Sequence, residues 1–152
     1  MDSATSFHFS RRVAWALLLV SGIGLYFQTL SASFVWDDHG LIVENPYLAP
    51  GQWLELWTHD FWMASARSGT SGFYRPMVAT SYYFDRLLWG TSPFGFHLTN
   101  LLLHLANGLL AFSLLLRLTR RAEVALFAAL LFLVHPLQAE AVAQITNRTD
   151  LL

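Results

Sequence analysis

Of the 152 residues, 55% are apolar and 15% aromatic, while only 12% are Asp, Glu, Lys or Arg, about half the ~25% of ordinary soluble domains. That balance excludes a typical soluble protein and reads as a membrane protein. The formal charge of −1 leaves no basic face for nucleic acid; without cysteine, only His, Asp and Glu remain as metal ligands.

The polar start, residues 1–12, ends in Arg11 and Arg12, and the uncharged segment 13–32 that follows is long enough to cross a bilayer. A cleaved signal peptide competes, since Ser31, Ala32 and Ser33 offer small residues. The apolar run exceeds the usual ~7–15 residues of such a peptide, so an uncleaved anchor is expected. Ser10, Arg11 and Arg12 give only a weak twin-arginine pattern.

Directly beyond this segment stand Asp37, Asp38 and His39. Adjacent carboxylates repel, so a cation, an arginine or a retained proton usually holds them; a solvated turn capping the helix is the plain alternative. The surrounding stretch, 33–95, holds six of the ten acids and most of the tryptophans and reads as an outer loop domain. Trp53, Trp57 and Phe61 recur every four residues, as on one face of a short helix at headgroup level; a small loop core would use them equally well. The Ser- and Gly-rich 66–72 is expected to be a mobile loop. Pro76 then opens a helix through Trp89. Asp85 and Arg86 in its middle make it too polar to span, so it is expected to lie along the membrane surface.

A second span covers 96–116, with His97, Asn100, His104 and Asn107 forming one polar stripe. Such a stripe faces a cavity or neighbouring helices rather than lipid. Paired histidines could ligate haem or a metal, but no matching second pair is present. Arg117, Arg120 and Arg121 follow, and together with Arg11 and Arg12 they place the 117–121 turn and the N-terminus in the cytoplasm. A third span, 122–143, is expected to kink at Pro136. It returns Glu140, Arg148 and Asp150 to the outer side, where 144–152 begins a second loop. The expected fold is therefore all-α and polytopic, with about three transmembrane helices and an outer loop domain containing interfacial helices.

On that outer side the carboxylates suit proton transfer or metal binding, with Asp37, Asp38 and His39 as the candidate metal group, and Arg75, Arg86 and Arg148 suit a phosphate. A substrate with a lipid tail and a phosphate head would lie across such a site. The plain alternative is that the charges are solvated helix ends.

Residues 34–38 (Phe, Val, Trp, Asp, Asp), 74–77 (Tyr, Arg, Pro, Met), 96–100 with His104, 132–142 and 147–150 (Asn, Arg, Thr, Asp) stand in an order and spacing that resembles the transmembrane and tetratricopeptide-repeat O-mannosyltransferases and their bacterial relatives. These belong to the polytopic GT-C class of glycosyltransferases. The resemblance runs from about Ser31 to the last residue. It implies a sugar, mannose-like, moved with inversion from a polyprenyl- or dolichyl-phosphate carrier to a protein Ser or Thr hydroxyl outside the cytoplasm, in a bacterial inner membrane or the endoplasmic reticulum membrane. It implies Asp37 or Asp38 as general base, Glu140 as the second catalytic acid and Asp150 as the weaker candidate for it. Substrate contacts would come from Arg75, His97, Asn100, His104, Arg148 and Asp150. A divalent metal is an option that the resemblance does not require. Asn147 stands where relatives more often have glycine, which creates a formal glycosylation sequon. Such enzymes carry many more spans and a repeat array, so this sequence is expected to be an N-terminal fragment, inactive alone. Two readings of other classes compete: a transporter or channel subunit lined by the polar stripe, and a non-catalytic membrane anchor of a repeat protein.

Overall fold

A computed structural model describes residues 10–62 and 71–152. Residues 1–9 and most of the expected mobile loop, 66–70, lie outside them. Among the described residues all regular structure is helical.

Helix α1 (Arg11–Tyr26) tightens into a 3-10 turn, Phe27–Ser31. These 21 residues cover roughly 34 Å at ~1.5 and ~2.0 Å per residue, enough for a ~30 Å hydrocarbon core. After the outer loop come α2 (Pro76–Trp89) and α3 (Pro93–Thr119). The second span thus extends three residues beyond 96–116 at each end. Pro93 supplies a preformed first helical residue; at the other end Arg120 turns left-handed with φ 55° while its N–H donates to the Leu116 carbonyl at 2.9 Å.

The third apolar segment is broken. Helix α4 (Ala122–Val134) and α5 (Leu137–Ala143) meet at 60° across His135 and Pro136. Pro136 has no N–H and its ring clashes with the carbonyl four residues back, so the ladder stops there. About 20 Å of straight helix is followed by about 10 Å that veers away. The chain then forms a 3-10 helix, Ile145–Asp150. Leu151 packs with Tyr26, Leu101, Leu105 and Val142, so this segment lies back along α3.

Helices α1, α3 and α4 pack on small residues. Ala14, Ala125 and Ala129 are buried in the cluster with Leu18, Phe112 and Leu133. A Cβ on Gly108 would come within 2.5 Å of the Leu133 side chain, and one on Gly22 equally near Leu105. Close backbone approach is what membrane helices use in place of a hydrophobic driving force.

The outer loop has its own core, in which Leu41, Ile42, Leu48, Leu56 and Phe61 pack on Val78 and Tyr82 of α2 and Phe96 of α3. The expected aromatic helix is not formed. Only Glu55–Trp57 makes a 3-10 turn, Phe61 is buried, and Trp53 and Trp57 are half exposed. Beyond that turn Asp60 accepts the Trp62 N–H (2.9 Å) and the Ser71 hydroxyl (2.6 Å), a local bond that competes with helix formation through Phe61. The helix expected after Pro76 is present as α2. It turns Val78, Tyr82 and Asp85 inward and leaves Met77, Phe84 and Leu88 exposed on one face, an apolar stripe suited to a membrane surface.

Candidate active site

The acidic pair sits on a tight turn. Asp38 N–H donates to the Val35 carbonyl (3.0 Å), and the Val35 N–H donates to Asp38 Oδ2 (2.9 Å). Between them Trp36 adopts φ 46° with its ring 85% exposed, a conformation that costs a bulky residue about 1–3 kcal/mol. The turn separates the two acids. Asp38 is 0% exposed, and its Oδ1 accepts the Thr146 N–H at 3.2 Å, whereas Asp37 is only half-buried. Burial pushes the Asp38 carboxyl above its ordinary range, against the pull of the Val35 and Thr146 bonds and of nearby His39.

The bond from Thr146 is one of several that tie the Ile145–Asp150 helix to the acidic loop and α2. Arg75 donates to Thr149 Oγ1 at 3.0 Å and lies over the Phe73 and Phe61 rings, 5.0 and 5.6 Å from their centres. Tyr82 donates its hydroxyl to the Ile145 carbonyl at 3.0 Å. Glu140, the second candidate acid, is exposed on α5 and accepts from Asn147 Nδ2 at 3.1 Å. Asp150 is exposed at the end of the 3-10 helix.

Arg148 is the centre of this arrangement, and it is 0% exposed. Its Nε donates to Asn100 Oδ1 (2.7 Å), one terminal nitrogen to Ser81 Oγ (2.9 Å) and the other to the Phe96 carbonyl (3.0 Å). That last nitrogen also pairs with Asp85 Oδ2 at 2.7 Å, and the guanidinium lies 4.7 Å from the centre of the Tyr82 ring. Thr99 donates to the other Asp85 oxygen at 2.6 Å. Every guanidinium nitrogen therefore has a partner inside the protein. The sequence reading missed Asp85 as the counter-charge, although a lone acid in an apolar helix is the signal that finds it. Arg86, grouped with the phosphate-suited arginines, instead donates to the Ile42 and Val43 carbonyls at 2.7 and 3.3 Å.

The polar stripe of α3 is directed at the broken third segment. A helix that stops leaves orphaned carbonyls that need donors. His104 Nε2 bonds the Leu133 carbonyl at 3.0 Å, and the Tyr26 hydroxyl donates to the same oxygen at 3.3 Å. Asn100 Nδ2 donates to Ala141 (3.4 Å) and Gln144 (3.3 Å), and Asn107 to Leu151 at 2.8 Å. His97 is buried near the start of the helix. Of the two options for the stripe, interhelical hydrogen bonding is the one these contacts form.

The site thus brings together Asp38, Arg75, Asn100, Glu140 and Arg148 with the half-buried Asp37 at one end of the bundle; His104 lies deeper. No three His, Asp or Glu side chains converge as a metal group among the described residues; around the suggested trio of Asp37, Asp38 and His39, both Asp38 oxygens accept backbone N–H groups and His39 lies edge-on to Phe34, ring centres 6.3 Å apart.

No family model matches the chain, nor does any solved structure. Among curated proteins, protein O-mannosyl-transferase TMTC1 of Homo sapiens is 37% identical over 143 residues, covering 91% of this chain and 16% of its own length. The human TMTC4 protein O-mannosyl-transferase is 36% identical over 156 residues, 91% of this chain and 21% of its own. Protein O-mannosyl-transferase Tmtc2 of Drosophila melanogaster is 37% identical over 134 residues, 84% of this chain and 14% of its own. The chain therefore spans only about a seventh to a fifth of the length of these relatives. Identity sustained across nearly all of this chain, with the motifs in their expected order, makes it a member of the transmembrane and tetratricopeptide-repeat protein O-mannosyl-transferase family.

Proposed function

We propose that this chain contributes the acidic first loop of a GT-C type protein O-mannosyltransferase. The enzyme transfers a mannose-like sugar from a polyprenyl- or dolichyl-phosphate carrier to a Ser or Thr hydroxyl on the extracytoplasmic side of the membrane. The observation that carries this reading is the cross-connection of the acidic turn, Arg75 and the 140–150 segment at one end of the bundle, in a chain related to proteins named for this transfer. Asp37 is the general base. It takes the acceptor proton as the hydroxyl oxygen attacks the anomeric carbon from the face opposite the carrier; the sugar–phosphate bond breaks and the configuration inverts. Asp38 is a poor base, because both its oxygens already accept backbone N–H groups. Arg75, half-buried and donating to Thr149 Oγ1, stabilises the departing phosphate. Glu140 orients the acceptor, and Asp150 stands beside it as the weaker partner. Arg148, Asn100 and His104 act by holding this frame. The 152 residues alone are expected to be inactive. A transporter reading loses its motivating feature, since Asn100, His104 and Asn107 are committed to backbone carbonyls.

The test is sugar transfer from a labelled polyprenyl-phosphate donor in membranes carrying the complete enzyme. Asp37→Asn should lower turnover by about 10²–10⁴-fold at unchanged protein level, the usual cost of losing a general base. Full activity in Asp37→Asn would reject the assignment and move the reading to the membrane anchor.

A further inference from the structure

At the end of the bundle opposite the acidic turn, α1 begins where α3 ends. Between them lies a cleft of about 260 Å³ lined by Arg11, Trp15, Phe112, Ser113, Leu116 and Arg117, far more space than the ~15 Å³ one water requires. Arg11 and Trp15 are one turn apart on α1, as are Ser113 and Arg117 on α3, so each helix offers a guanidinium and a second group to the same space. Both arginines and Trp15 are exposed. Among the described residues neither arginine has an ion-pair partner. Among the described residues this end carries five arginines, Arg11, Arg12, Arg117, Arg120 and Arg121, against one acid, Glu123.

We propose that this cleft binds the phosphate headgroup of an anionic phospholipid from the leaflet on that side. Two guanidinium groups from different helices can each give paired donors to phosphate oxygens. Trp15 sits at the level where indoles favour the headgroup boundary, and basic pockets between membrane helices are suited to such headgroups. Two turns deeper than Arg117 on the same face, Leu110 is exposed and offers an apolar track for an acyl chain. The site is independent of the catalytic proposal, which lies at the other end.

The experiment is native mass spectrometry of the 152-residue chain in detergent, with phosphatidylglycerol or phosphatidylcholine added. Wild type should retain phosphatidylglycerol preferentially. R11Q/R117Q should lose that retention by about tenfold or more, while R12Q/R121Q, which removes equal charge outside the cleft, should lose under about threefold. Circular dichroism establishes that both variants stay folded. Equal loss in the two variants would mean a diffuse basic surface and overturn the site, as would no preference in wild type. Full displacement by inorganic phosphate alone would overturn the lipid assignment.

Discussion

At the scale of single residues, the two aspartates of one motif have separate physical fates. The left-handed Trp36 turns the chain so that Asp38 enters the protein and Asp37 stays at its surface. Asp38→Asn can no longer accept from both Val35 and Thr146, because its amide nitrogen is a donor. A loss of about 1–3 kcal/mol in stability is expected. The pH dependence has a definite sign. Burial raises the folded-state value of the Asp38 carboxyl, so between its ordinary and raised values the folded chain holds a proton that the unfolded chain has released. Its stabilisation is then fullest below the ordinary value and declines as pH rises through the raised one. Thermal unfolding of wild type and Asp38→Asn in one detergent, from about pH 3 to about pH 8, should show their difference narrowing with rising pH. A difference that widened would contradict the burial of this group.

At the scale of elements, one ion pair and one stripe of side chains join helices through buried polar contacts. Arg148 connects the Ile145–Asp150 helix to α2 through Asp85 and Ser81 and to α3 through Asn100. Arg148→Ala leaves Asp85 buried without its counter-charge, which should cost about 3–5 kcal/mol. Asp85→Ala should cost a similar amount, and the double variant clearly less than the sum, since neither charge is then stranded. Unfolding midpoints of the three variants measure this coupling; strict additivity would mean that the pair is not a unit. The Leu133 carbonyl, whose ordinary donor, the Leu137 N–H, turns to His135 at the break, is served by His104 and Tyr26 together. His104→Ala should therefore cost about 0.6 kcal/mol and at most about 1.7 kcal/mol for the lost bond, the average and the maximum for hydrogen bonds between membrane helices. Thermal stability of His104→Ala against Tyr26→Phe and the pair reads this, and a neutral double variant would show that the carbonyl needs neither donor.

At the scale of the whole molecule, the bundle depends on close approach of α3 to α1 and α4. Gly108→Val would drive a side chain into Leu133, and Gly22→Val one into Leu105, whereas a Cβ on Gly24 meets nothing within 4 Å. Gly108→Val should destabilise the bundle by about 1–3 kcal/mol, and Gly24→Ala should be neutral or slightly stabilising. Unfolding in detergent separates them; equal behaviour would mean that α3 and α4 do not pack at this spacing.

Sequence alone determined the two bilayer-length helices and the third apolar segment, the break at Pro136 and the separation of an arginine-rich end from an acidic one, because each follows from local causes: long apolar runs, a missing N–H, and charge that cannot enter lipid. It also brought the acidic motif and Glu140 to one end, since alternating spans return alternate loops to the same side. Other features are decided by contacts between segments far apart in sequence. Asp85 meets Arg148 63 residues later, and Asp38 meets Thr146 108 residues later; no periodicity encodes such partners. The same limit left the stripe of α3 open between ligand and helix. His97, Asn100, His104 and Asn107 fix which face is polar, while the carbonyls that three of them serve, on Leu133, Gln144 and Leu151, meet that face only once the chain after α4 has folded against it. The aromatic residues 53–61 failed as a helix for a related reason: burying Phe61 beside Tyr82 and closing Asp60 on Ser71 override a local spacing that is weak in so short a segment.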